Sequence, residues 1–116
     1  MKYKEILLIP TPFTLKVFYG SKDAISKRVK KDFKGYEIGN IFDKYGGFVD
    51  RVEADGYPII IMCLLEGSFT PGIIAHESEH VIYYKNELIG NKYNYESQEM
   101  HAYYIQWLVD EIWKMK

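Results

Sequence analysis

His76 and His80 stand four residues apart in the stretch His76-Glu77-Ser78-Glu79-His80, with Glu77 directly after the first of them. On a helix, positions i and i+4 share one face, so two imidazoles spaced in this way can grip a single metal ion. A carboxylate beside the first histidine can then take a proton from water held by that ion. Two of the chain's three histidines fall within these five residues. The pattern predicts a catalytic-type zinc site, with His76 and His80 as ligands and Glu77 as general base. The competing reading is a surface or core helix whose histidines coincide in spacing.

A catalytic zinc takes a third protein ligand and keeps a fourth position open. Glu96, Glu99 and His101, near the start of a later helix, are the residues on offer. At 3.6 residues per turn His101 lies about 200° round from Glu99, so the two cannot both face the ion. Glu99, which shares a face with Tyr103, Gln106 and Asp110, is the first choice. Glu96, one turn earlier, is the second, and a first-turn carboxylate favoured by the helix dipole is its ordinary explanation.

The elements that must hold these residues are marked in the chain. Thr70-Pro71 reads as a cap with proline at the first helical position, which starts a helix running to about Tyr84 or Lys85. Gly72 leaves open space one turn before His76, while Ile74, Ser78, Val81 and Ile82 lie on the opposite side and pack on a sheet. A second long helix, roughly 95–115, carries the apolar stripe Ile105, Leu108, Val109, Ile112 and Trp113.

Strands at 5–9 and 14–19 surround the break Pro10-Thr11-Pro12. Ser21 caps a helix over about 22–34, where Ile25, Val29 and Phe33 recur on one side. Phe48–Ala54 and Tyr57–Leu65 flank Asp55-Gly56, a two-residue hairpin signal. Phe48 to Glu53 mixes polar with apolar residues, as an edge strand does. Ile59 to Leu65 is continuously apolar, as a strand covered on both faces is. Strands, helix, hairpin and two helices give an α+β class, in a single domain over 1–116.

Composition narrows the function further. Fifteen basic residues against sixteen acidic ones leave a formal charge of -1, so no basic excess draws in nucleic acid. The apolar stretch Ile6–Ile9 is too short for a signal core, and no run approaches membrane-spanning length. Cys63 stands alone, inside an apolar run, so no intrachain disulfide is possible and the thiol is expected to be buried and inert. The expectation is a cytoplasmic protein that binds neither nucleic acid nor membrane.

Glu99-Met100-His101-Ala102-Tyr103 resembles the E-x-x-A-[NY] element that supplies a ligand in gluzincin-type families, where a glutamate on a later helix completes an HExxH pair. Residues 57–113 are similar in this way to the compact ImmA/IrrE-like peptidases and to short zincin-like proteins of phages and prophages. The resemblance implies a zincin-like fold, a small mixed or antiparallel sheet packed on the HExxH helix and a C-terminal helix. It implies zinc held by His76, His80 and Glu99, with Glu77 as base. The metzincin branch is excluded, because Tyr83 and Asn86 stand where its extension needs glycine and histidine.

The expected activity is hydrolysis of a peptide or protein substrate. Zinc polarises the carbonyl and brings the pKa of its water to about 7, and Glu77 relays the proton. Tyr103 is the first candidate for the second oxyanion donor and Tyr83 the next. The alternative is a non-catalytic zinc-binding interaction or phage and prophage assembly protein with a degenerate site, in which zinc staples the two long helices. Tyr83, Tyr84, Tyr93 and Tyr95 would then form a contact surface.

Overall fold

Ile59 to Leu65 lies inside a four-stranded sheet, with a layer packed on each face. In the computed structural model, which describes residues 1–90 and 98–116, the strands are β1 (Lys2–Leu7), β2 (Thr14–Gly20), β3 (Gly47–Ala54) and β4 (Tyr57–Leu65). Their order is β1-β2-β4-β3. The outer pairs are antiparallel and the central β2–β4 pair is parallel. Among the described residues three α-helices complete the α+β fold: α1 (Lys22–Asp32), α2 (Pro71–Leu88) and α3 (Gln98–Trp113).

The two-residue period of a strand explains why β4 is apolar throughout. Ile60, Met62 and Leu64 enter one core with Leu15 and Val17 of β2, Ile74 and Val81 of α2, and Leu108 and Ile112 of α3. Ile61 and Cys63 enter the other, with Phe18 of β2 and with Ile25 and Val29 of α1. Each large aliphatic side chain so buried contributes about 1.5–3 kcal/mol. The Cys63 thiol is fully buried, and desolvation pushes its pKa well above the ordinary range, which leaves it inert.

The local signals form as expected. Ser21 Oγ accepts from Ala24 N at 3.2 Å, and Thr70 Oγ1 accepts from Ile73 N at 3.2 Å. Asp55 and Gly56 take positive φ of 53° and 82°, as a tight hairpin requires. Two elements differ by three residues or more at one end. β1 spans Lys2–Leu7 because the hairpin to β2 closes earlier, with Leu8 N donating to Phe13 O and Thr11 Oγ1 to Leu8 O. α2 runs to Leu88, because Lys85 and Leu88 still pack inward and extend its buried side by a turn. The start of the last helix, placed near 95 by the sequence, falls outside the described residues.

Phe69 fixes where α2 begins. Its ring stacks against Tyr19 of β2, with centroids 4.1 Å apart, and against Trp113 of α3 at 5.6 Å. The next residue, Thr70, caps the helix, so packing and capping together set its phase. On the far side of α2, buried Lys85 rests its ammonium 3.9 Å from the centre of the Tyr104 ring and joins α2 to α3. Among the described residues no helix is long and apolar enough to cross a membrane.

Candidate metal centre

With the phase of α2 set, His76 and His80 emerge on its exposed side, their ring centroids 5.1 Å apart and their planes at 76°. Glu77 turns inward and is only 6% exposed. The donor atoms of His76, Glu77 and His80 all lie within 4.8 Å of one another, so the group can hold a metal ion.

Glu77 lies against the glycine that opens β3. Gly47 pairs with Leu64, and a Cβ there would stand 2.9 Å from Leu64 Cδ2 and 3.5 Å from Glu77 Cγ. A side chain at 47 would press on Leu64, while Glu77 would meet it at ordinary contact distance. β3 then continues beside α2, and Arg51 donates to Glu87 Oε1 at 2.8 Å. Both partners are about half exposed, so that pair contributes at most about 1 kcal/mol. It marks the direction of the edge strand along the helix.

Burial raises the Glu77 carboxyl above its ordinary pKa, and the nearby His76 and His80 pull it back only in part. Oε1 stands 3.8 Å from His76 Nε2, while Oε2 is buried without a hydrogen-bond partner. An unpaired buried carboxylate oxygen is costly. A cation held by this carboxylate and the two imidazoles, or a water on that cation, would offset the cost. The donor set therefore fits a metal ion that takes nitrogen and oxygen ligands.

The other described residues singled out by the sequence are not among these converging donors. Glu99 is exposed at the start of α3 and is not among the donors that converge. Its companions Tyr103, Gln106 and Asp110 are exposed as well, so this side of α3 faces solvent. Tyr103 lines a separate apolar groove with Ile9, Pro10, Met100, Tyr104 and Trp107. Glu96 lies outside the described residues. His101 faces α2, with Nε2 2.9 Å from Glu79 Oε1, and so ties the first turn of α3 to the residue next to His80.

A cleft of about 360 Å³ opens beside the group, lined by Tyr45, Gly46, Gly47, Gly72, Ile73, His76 and Glu77. The open space expected at Gly72 is therefore present. The contribution of Tyr45, Gly46 and Gly47 was hidden in the sequence, where they fall between the helix signal ending near 34 and the strand signal starting at Phe48. Their signal was the glycine pair at the start of a strand, a sign of close backbone approach. Gly72 differs from that pair, because a Cβ there would meet nothing within 4 Å. A helical glycine costs about 0.5–1 kcal/mol relative to alanine, and no packing constraint explains this one. No protein-family model matches the chain, and neither a curated protein nor a solved structure is significantly similar to it.

Proposed function

We propose that this chain is a small zincin-like metallopeptidase that hydrolyses peptide bonds at a zinc ion held by His76 and His80, with Glu77 as general base. The observation that carries this reading is the convergence of one donor atom each from His76, Glu77 and His80 within 4.8 Å, on a Glu77 that is buried and has one oxygen without a hydrogen-bond partner. A zinc ion there supplies Lewis acidity toward a carbonyl oxygen and makes water more acidic. Glu77 does the proton work. Its raised pKa makes it a better acceptor at neutral pH than a solvated carboxylate, and it can return the proton to a leaving amine. Tyr83, three residues beyond His80 on α2 and exposed, is better placed than Tyr103 to donate to the oxyanion.

The fold supports the same reading. β3 is an edge strand that starts at Glu77 and follows α2, and a substrate backbone can pair with such an edge. The test is an internally quenched peptide library offered to the zinc-loaded chain, with chelated protein as control. Cleavage that zinc restores is the expected result. Full zinc occupancy without cleavage overturns the peptidase reading. It would favour an interaction protein instead, for which the exposed Tyr83, Met100 and Tyr103 offer apolar contact surface.

The resemblance assigns the third ligand to Glu99, and the contact of His101 with Glu79 keeps the first turn of α3 close to His80. Glu99→Ala is expected to weaken zinc binding at least tenfold, within the 10–100-fold typical of losing even an outer-shell partner, and more than Glu96→Ala does. Competition with a chromogenic chelator measures both. Equal affinity in wild type and Glu99→Ala removes Glu99 from the ligand set.

A further inference from the structure

The cleft beside His76 and Glu77 has a composition that points to what it takes. Its volume of about 360 Å³ lies near the lower end of the ~300–1,000 Å³ usual for small-molecule sites, so it suits one side chain and not several residues. Apart from His76 and Glu77, its lining among the described residues is Tyr45, Ile73 and three glycines, and these offer an incoming charge no further counter-ion. Tyr45 is 63% exposed, so its ring has a face free to be covered.

The glycines divide into two kinds. At Gly46 an added Cβ would collide with Ser68 Oγ and Cβ, and at Gly47 it would press on Leu64 and on Cys63 O at 3.1 Å. These two are required by packing, and they leave a wall of bare backbone. Gly72 is required by nothing around it, and the space its missing side chain leaves belongs to the cleft. Flat peptide faces on one wall and an aromatic ring at the rim suit a planar apolar group. A charged side chain would lose water there and find no partner beyond the metal-site residues His76 and Glu77.

We propose that this cleft is the specificity pocket of the site, and that it selects an aromatic side chain on the substrate residue next to the scissile bond. This rests on the metallopeptidase reading and names its substrate class. Tyr45 and Ile73 supply the contact, Gly46 and Gly47 the flat wall, and Gly72 the depth.

Hydroxamates test the pocket without requiring turnover. Zinc content of the loaded chain is measured first. Calorimetry then compares acetohydroxamate with 3-phenylpropanohydroxamate, 6-aminohexanohydroxamate and the monohydroxamate of succinate. The phenyl compound is expected to bind about tenfold tighter or better than acetohydroxamate, as burial of an aromatic group implies, and the two charged compounds to gain nothing.

Gly72→Leu places its side chain in open space, so the fold should persist. It should abolish the phenyl gain while leaving acetohydroxamate binding within about twofold, since binding energy that depends on pocket contacts is lost with them. Tyr45→Ala, at an exposed position, should reduce the same gain. A phenyl compound no better than acetohydroxamate overturns the pocket, as does a gain that survives both substitutions. Failure of acetohydroxamate to bind a chain shown to hold zinc overturns the open metal site itself, and is read separately from failure of the pocket.

Discussion

Glu77→Gln is expected to keep zinc and the fold while lowering peptide hydrolysis by about 10²–10⁴-fold, the usual contribution of a positioned general base. Glutamine has nearly the same shape and can still hydrogen-bond water, but it accepts no proton at neutral pH. The metal-free protein supplies a second readout. Burial raises the folded-state pKa of Glu77 above its ordinary value of 4.5. The associated stability is therefore fully present below about pH 4.5 and is lost as the pH rises through the higher folded value. The variant has no carboxylate to ionise, and a buried neutral amide is less costly than a buried charge. Without metal it should melt a few degrees higher than wild type at pH 7, since about 1 kcal/mol shifts Tm by a few degrees in a domain of this size. The two should draw level near pH 4. Hydrolysis at the wild-type rate would sink the proton-transfer role, and a metal-free variant less stable at pH 7 would sink the account of Glu77 as a buried acid.

Much of this molecule was written in local sequence. Thr70-Pro71 capped α2, Asp55-Gly56 turned the hairpin, and the unbroken apolar run of β4 announced a strand with both faces covered. These signals involve neighbours in the chain or a period fixed by backbone geometry. The burial of Glu77 was of another kind. Glu77 lies against Gly47, which the pairing of β3 with β4 brings across, and no local pattern reports that approach. The cleft was hidden for the same reason, because Tyr45 and Gly46 reach α2 only through the sheet.

The facing of α3 was legible in its apolar stripe. Leu108 and Ile112 are fully buried and fix which side of the helix meets the core. Glu99 lies nine residues before Leu108, which is half a turn away at 3.6 residues per turn, and it is accordingly exposed. The same rotation turns His101 toward Glu79.

Zinc should stabilise the wild-type chain, and His76→Ala or His80→Ala should remove that stabilisation while scarcely changing the metal-free protein. A ligand that binds only the folded state contributes about 2.7 kcal/mol at one hundred times its Kd. For a domain of this size that corresponds to a rise in Tm of roughly 10 °C. Both histidines are exposed, and neither enters either core cluster. Truncating a surface side chain of this kind usually changes stability by no more than about 0.5 kcal/mol. The metal-free melting temperatures of wild type and both variants should therefore nearly coincide, and only the zinc-dependent shift should separate them. Glu77→Gln supplies the contrast, because it keeps both imidazoles and should keep most of the shift. If the shift survives in both histidine variants, zinc is bound elsewhere, and the convergence of His76, Glu77 and His80 is a feature of the helix surface and not a metal site.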